Sequence, residues 1–364
     1  MIAKPRVIHF VTGGGSGATK VAIDVACGHL STGRYEPLLV LRRKKVPLPA
    51  PMQAQVTSAG LRTAWVERWP KSKTLSQLAA LIADFQPQIF VAHGNSEHFW
   101  GRQAAFAARV PVVIHVEHNC ERYRFWRRWS ARRLAATTTA TFCVSEGVAA
   151  HVRKLRLASP RLEIVHNGVD VSRFSINAPP FAQRSQDIVM MARFARQKDQ
   201  PTLIRAVKRL VDQGWSGQLL LGGGGKSSNR LACEKLAARL GIAGRVQFLG
   251  AVANIVPVLH RCRAAVLSTR HEGLPLSLVE YMSAGCAAIA TNLPGVTDII
   301  QNGVNGWLFP EEDDAALAKI LGTAISGGPA VEAIAAHGHA DASTQFSLEK
   351  MVARYEKLFG ELLR

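Results

Sequence analysis

At 364 residues, 48% of them hydrophobic and 20% charged, the chain is too long for one ordinary core and too apolar for a disordered or fibrous protein, which leaves two medium-sized globular domains. No apolar stretch reaches the roughly 18–20 residues of a membrane span. The N-terminus reads as a strand rather than a signal peptide, and the six scattered cysteines exclude a disulfide framework or a zinc knuckle, so a cytosolic location is expected. The net charge of +19 is uneven: residues 1–170 carry 24 Lys+Arg against 10 Asp+Glu, the remainder 21 against 16. Such a field favours an anionic partner, be it nucleic acid, an acidic membrane surface or a phosphorylated substrate.

Short β-branched, apolar runs alternate with helix-length segments from end to end. In the first half the strand candidates are Arg6–Thr12, Pro37–Leu41, Gln88–His93, Val112–His118, Thr141–Ser145 and Glu163–Asn167. In the second half they are Ile188–Ala192, Gln218–Gly222, Arg245–Gly250, Ala264–Ser268 and Ala287–Thr291. Repeated β-then-α segments imply parallel sheets covered on both faces. The alternation breaks at 170–187, where two adjacent prolines interrupt an aperiodic stretch that reads as a linker. The expected organisation is therefore α/β: two doubly wound Rossmann-like domains, 1–169 and 188–346, facing across a cleft. A final segment, 347–364, has helical spacing. Open α/β sheets bind ligands outside the carboxyl ends of their strands, so the site is sought there.

After the first strand, Thr12-Gly-Gly-Gly-Ser-Gly17 precedes a helix, and glycines there let backbone approach phosphate closely. The spacing departs from the dinucleotide fingerprint. His118 closes the strand 112–118, where it can reach a sugar; alternation sends His115 to the opposite face, which argues against the two binding one metal. The run Glu121–Arg133 interleaves Tyr123, Phe125, Trp126 and Trp129 with six arginines. Within it Arg124, Trp126, Arg127 and Arg128 are expected to meet an acceptor or an anionic membrane surface, with arginines on phosphates and rings at the boundary. The plain alternative is a surface helix whose aromatics face the core.

In the second half, Arg193 and Lys198 follow a strand end and can neutralise a diphosphate leaving group. The run Gly222–Ser227 fails as a P-loop because Leu220 stands where its first glycine belongs, so it reads as a strand-to-helix turn. His271-Glu-Gly-Leu-Pro-Leu-Ser-Leu-Val-Glu280 carries the densest signal. Pro275 fits the first helical position, which leaves the amides of Leu276, Ser277 and Leu278 as donors for a diphosphate. Glu272 lies ahead of that helix, placed for sugar hydroxyls, and Glu280 one turn in, placed for a ribose diol.

Together these features resemble the retaining GT-B glycosyltransferases of the large group 1 family (family 4). The resemblance covers nearly the whole chain: the glycine loop, Val116-Glu-His118, Val144-Ser-Glu146, Ile164–Asp170, Arg193 and Lys198, Arg245–Gly250, the glutamates 272 and 280, and Asn305-Gly306. It implies that Arg193 and Lys198 stabilise the departing nucleotide, that Glu272 contacts the donor sugar and Glu280 the ribose, and that His118 sits beside the sugar. It implies that Gly15 and Gly17 let the loop close over the phosphates, and that transfer needs no metal or other cofactor. The reaction it implies moves a hexosyl unit, with retained configuration, from a UDP- or GDP-linked sugar to a saccharide or lipid-linked saccharide, as in bacterial surface polysaccharide or lipopolysaccharide assembly. The place of action would be the cytoplasm, at the membrane face. Pro275 and Asp298 depart from the family's usual glycine and glutamate. An epimerase or phosphorylase of the same architecture would need a different acid–base set. A nucleic-acid-binding protein would explain the charge but leave Arg193, Lys198, Glu272 and Glu280 without a role, so nucleic acid is not expected as a partner.

Overall fold

The structure is a computed structural model that describes residues 4–94, 97–121 and 123–364; Arg122 of the basic run lies outside them. The chain divides into two compact units, one of Met1–Gly168 with Leu348–Arg364, the other of Val169–Ser347.

The first unit runs β1 (Arg6–Thr12), α1 (Gly17–Thr32), β2 (Glu36–Arg42), α2 (Ala50–Ser58), β3 (Thr63–Val66), α3 (Lys71–Phe85), β4 (Ile89–His93), α4 (Glu97–Ala107), β5 (Val112–Glu117), α5 (Phe125–Thr137), β6 (Ala140–Cys143), α6 (Glu146–Leu155) and β7 (Leu162–Ile164). All pairings are parallel, in the order β3-β2-β1-β4-β5-β6-β7. Strands buried on both faces need apolar side chains at successive positions, and β1 supplies Val7, Ile8, Phe10 and Val11. One sheet face packs Ile8, Phe10, Val40 and Phe90 against Leu78, Ile82 and Phe85 of α3. On the other, Val11, Leu39 and Leu41 meet Ala22, Ile23 and Ala26 of α1.

The second unit runs α7 (Ser172–Ser175), β8 (Ser185–Met191), α8 (Gln200–Asp212), β9 (Leu219–Gly222), α9 (Ser227–Arg239), β10 (Val246–Gly250), α10 (Val256–Arg261), β11 (Cys262–Leu267), α11 (Leu276–Ser283), β12 (Ala287–Thr291), β13 (Trp307–Phe309), α12 (Asp314–Ser326) and α13 (Pro329–Gln345). Its sheet is also parallel, in the order β10-β9-β8-β11-β12-β13. The chain's last helix, α14 (Leu348–Leu362), belongs to the first unit, where it lies against α1. In each sheet the strand order reverses beside the first strand, between β1 and β4 and between β8 and β11, and ligand crevices form at such points.

Two strands escape the apolar-run reading. β3 and β13 are edge strands of four and three residues, held by pairing to a neighbour rather than by an apolar run of their own. The stretch 170–187 is not a plain linker: it holds α7, a 3-10 turn at Phe181–Gln183 and the start of β8, three residues before the expected Ile188. β5 stops at Glu117, so His118 stands just beyond the strand instead of ending it.

Candidate functional site

In the second unit the crevice between β8 and β11 collects the predicted cations and one predicted carboxylate. β8 ends at Met191; Arg193 follows, then a 3-10 turn over Arg196–Lys198 that leads into α8. The opposite wall is the loop after β11. The two are laced together: the Arg270 amide donates to the Gln197 carbonyl at 2.9 Å, the Thr269 hydroxyl to the same carbonyl at 3.1 Å, and the Gln197 side-chain amide to the His271 carbonyl at 2.6 Å. This lacing sets Lys198 Nζ 2.5 Å from Glu272 Oε1, an oxygen that also accepts from the Thr269 hydroxyl at 2.7 Å. Both charges are largely buried, the side chains 14% and 9% exposed. A pair this sheltered is held far more firmly than a surface ion pair, and removing one member strands the other. Arg193 is exposed and has no ion-pair partner among the described residues.

Beside this pair begins α11. Pro275 is its N-cap with extended backbone (φ −76°, ψ 110°), not its first helical residue. Because the Leu278 amide turns back onto the Pro275 carbonyl at 3.1 Å, it is not a free donor as the sequence suggested. The amides of Leu276 and Ser277 have no backbone partner among the described residues, and they lie at the positive end of the helix. Glu280 is half-buried one turn further on. Two features absent from the sequence reading fix this helix. The buried Tyr281 hydroxyl accepts from the Met191 amide at 2.7 Å, which pins α11 to the end of β8. Gly295 (φ +83°) lies so close to the loop ahead of α11 that a Cβ there would stand 2.0 Å from the Gly273 carbonyl oxygen. The turn 222–226 runs against the stretch after β8, with the Phe194 amide donating to the Gly224 carbonyl at 2.7 Å.

In the first unit the glycine loop leaves β1 and enters α1, whose N-cap Ser16 accepts from the Thr19 amide at 3.1 Å. Gly15 is tight, since a Cβ there would come within 2.6 Å of Pro49; Gly17 faces open space. His118 joins a buried line of imidazoles that sequence reasoning missed. Its Nε2 lies 3.1 Å from Nδ1 of His93 at the end of β4, and Nε2 of His93 lies 3.1 Å from Nδ1 of His9 in β1. Parallel register explains the line: His9 pairs with Val91, so His93, two residues on, shares its face. Burial pushes all three pKa values down, that of His118 to about 4, so the rings are neutral at pH 7.

The opposite face of β5 carries a second network. His115 stacks on His98 at 4.5 Å, away from His118, as strand alternation requires. Glu117 is fully enclosed and accepts from the Tyr123 hydroxyl at 2.9 Å. Burial raises its pKa from 4.5 to about 8. The unfolded chain therefore loses this proton near pH 4.5 and the folded chain near pH 8, so stability falls as pH rises between them. By linkage the fall is about 1.4 kcal/mol per pH unit. In urea titrations from pH 5 to pH 8 the stability of the native chain relative to Glu117→Gln is expected to fall with this slope, because the opposite trend of the buried neutral histidines is common to both chains and cancels. An equal slope in both chains would exclude Glu117 as its source.

Tyr123 leads into α5, which exposes its aromatics rather than turning them inward: Phe125, Trp126 and Trp129 are 81%, 51% and 59% accessible. The helix buries only Ala131 and Ala135. Arg124 lies over Trp126 at 4.7 Å and Arg133 over Trp129 at 4.6 Å, while Arg127 is exposed and lies over Phe99 at 5.8 Å. Arg128 and Arg132 are tied down by donating to the Leu155 carbonyl, so two of the basic side chains serve packing. Among the described residues no helix is long and apolar enough to cross a membrane, and no three His, Cys, Asp or Glu side chains form a group that could hold a metal ion.

The structure thus gathers Arg193, Lys198, Glu272, Leu276, Ser277 and Glu280 in the second unit, with His118, Gly15, Gly17 and the α5 residues in the first. Residues 16–173 match the model of glycosyltransferase family 4 and residues 172–339 that of glycosyl transferases group 1. The chain is 24% identical over 260 residues to the Escherichia coli UDP-Gal:alpha-D-GlcNAc-diphosphoundecaprenol alpha-1,3-galactosyltransferase, a match covering 66% of this chain and 67% of that one. It is 29% identical over 192 residues to the lipopolysaccharide core biosynthesis glycosyltransferase LpsE of Rhizobium meliloti, covering 53% and 54%. The crystal structure of Anabaena Alr3699/HepE in complex with UDP has the same fold, with a TM-score of 0.85 and 18% identity over 98% of this chain and all of that one. Two family models that together span residues 16–339, over two parallel α/β units of this fold, make the chain a member of the group 1 glycosyltransferases.

Proposed function

We propose that the protein transfers a hexosyl unit from a nucleoside-diphosphate sugar to a saccharide or lipid-linked saccharide, with retention of anomeric configuration and without a metal. The observation that carries this reading is the Lys198–Glu272 pair at the crevice of the second sheet, next to the start of α11 and the unpaired Arg193. The free amides of Leu276 and Ser277, Arg193 and Lys198 are the charge set a departing diphosphate requires, because they act where negative charge grows as the glycosidic bond breaks. Glu272, held by Lys198 and Thr269, presents its remaining acceptor capacity to sugar hydroxyls, and Glu280 suits a ribose diol. The leaving phosphate oxygen takes the acceptor's proton on the face from which the nucleotide departs, so no enzyme nucleophile is needed. The E. coli relative, whose name specifies a UDP-sugar donor and a diphosphate-linked lipid acceptor, and the UDP complex of the Anabaena structure both support this choice of substrates. The R. meliloti relative supports a role in bacterial surface polysaccharide or lipopolysaccharide synthesis.

The test is a thermal-shift panel of UDP-glucose, UDP-galactose, UDP-N-acetylglucosamine and GDP-mannose. A donor at 100 times its Kd stabilises the fold by about 2.7 kcal/mol, which raises Tm by several degrees. No shift with any nucleotide sugar or free nucleotide sinks the reading.

Exposed rings and arginines on α5 favour a working position at an anionic membrane surface. Each surface arginine contributes about 1 kcal/mol near anionic lipid. Replacing Arg124, Arg127 and Arg133 by Gln is therefore expected to lower partition onto phosphatidylglycerol vesicles roughly 100-fold. Unchanged co-sedimentation excludes this face as the membrane contact.

A further inference from the structure

We infer that His93, backed by His9, is a positioning residue that decides which nitrogen of His118 carries its proton. The inference rests on the reading of His118 as a donor-sugar contact and extends it inward.

A neutral imidazole has one N–H and one acceptor nitrogen. The contact between His118 Nε2 and His93 Nδ1 therefore needs a proton on one side and a lone pair on the other, as does the contact between His93 Nε2 and His9 Nδ1. His93 has a single proton to offer, so the two contacts order together. Either all three rings carry the proton on Nδ1, or all three carry it on Nε2. A mixed arrangement sets two protons or two lone pairs face to face in a buried site, where water cannot replace the lost hydrogen bond.

His118 is the end of the line that can meet a ligand. It is half-buried, and its Nδ1 has no partner among the described residues. At the other end, His9 is fully buried and its Nε2 has no partner among the described residues, so burial keeps solvent from resetting the order there. His9 is boxed in further by His29, stacked 5.4 Å away, whose own Nδ1 is held 3.3 Å from Glu356 on α14. A sugar hydroxyl both donates and accepts, and will pair with either form of His118. Fixing the tautomer fixes which way that hydroxyl points its proton, hence which oxygen lone pair remains for the rest of the site. This is the role of the group that orients a reactive imidazole in other enzymes.

The test is 15N NMR of histidine-labelled full-length protein, with His118 assigned by its absence in His118→Ala. Because protonated and bare ring nitrogens resonate far apart, the spectrum reads the tautomer directly. The expected result is one tautomer at His118 in the native chain, and averaged nitrogen shifts in His93→Phe. His9→Phe, which keeps the contact between 93 and 118, is expected to release the order as well. His93→Asn, whose amide stands near the Nδ1 position, is expected to restore a partner to His118. Averaged shifts in the native chain, or shifts unchanged in His93→Phe, overturn the inference.

Nucleotide release is then measured with whichever of UDP-glucose, UDP-galactose, UDP-N-acetylglucosamine and GDP-mannose the native enzyme turns over fastest. His93→Phe is expected to lower kcat by about 10–100-fold with KM little changed, and His93→Asn to recover part of the loss. Impairment of His118→Ala with no effect of His93→Phe also overturns the inference. Native turnover by His118→Ala discards the role of His118 itself while leaving the spectra to decide the coupling.

Discussion

Arg193→Ala and Lys198→Ala are each expected to lower kcat by about 10²–10³-fold, the cost of removing one preorganised charge aimed at a developing anion. The two should differ in what else they disturb. Arg193 has no ion-pair partner among the described residues, so its loss touches charge stabilisation alone, and Tm should stay within about 2 °C of the native chain. Lys198 balances Glu272, and its removal leaves a sheltered carboxylate held, among the described residues, by Thr269 alone. That variant should melt lower, because the remaining charge is sheltered from water without its counter-ion. Lys198→Ala with Glu272→Gln should recover the lost stability but not the lost turnover, since the uncharged pair no longer meets the leaving group. Full activity in Arg193→Ala would remove it from the machinery; a double variant no more stable than Lys198→Ala would mean the pair carries no strain when broken.

Deleting residues 348–364 is expected to unfold the first unit. Helix α14 buries Met351, Val352, Tyr355, Leu358 and Phe359, each worth about 1.5–3 kcal/mol on leaving water. Together they supply about 7–15 kcal/mol, comparable with the entire stability of a domain. The fit is close: a Cβ on Gly28 of α1 would stand 2.3 Å from a methyl of Val352, so a side chain there would force the helices apart. Phe359 packs among His9, His29, Tyr35 and Tyr355, and Tyr355 meets Phe142 of β6 edge-on. Arg354 bonds Glu163 and Arg161 bonds Glu361, tying the helix to β7. Loss of at least about 15 °C in Tm, with helicity falling by more than the deleted turns account for, is the expected outcome. A truncated chain that melts within about 3 °C of the native one would show that α14 is an ornament of the first unit. Gly28→Val should weaken the same contact by about 1–3 kcal/mol through overpacking.

Much of the fold was legible because buried parallel strands write themselves locally. β1, β2, β4, β5, β8, β11 and β12 are runs of apolar residues long enough to be seen without knowing their neighbours. β3 and β13 were not, since an edge strand of three or four residues is defined by the hydrogen bonds it receives. The same limit explains 170–187, where α7 and the start of β8 are held by contacts with distant segments: His260 meets the Phe174 carbonyl and the Ser185 hydroxyl meets that of Arg261.

The site divides along the same line. The order of Arg193, Lys198, Glu272 and Glu280 along the chain, each beside a strand end or helix start, is enough to suggest diphosphate chemistry, because a helix terminus and a strand end are local features. That Lys198 and Glu272 are one ion pair could not be read from positions 74 residues apart, and Pro275 could be seen as a helix initiator but not as the cap whose carbonyl takes the Leu278 amide. On α5 the sequence determined the composition, arginines among aromatics, while only packing decided that Trp126 and Trp129 face outward and that Arg128 and Arg132 are tied to Leu155. His118 was visible at a strand's end; the line through His93 to His9 was not. Register between β1, β4 and β5 sets three rings on one face, and register is a property of strands already paired. What a residue is, and which local element it starts or ends, belongs to the sequence; which charge balances it, and where its proton sits, depends on neighbours brought together only when the sheet forms.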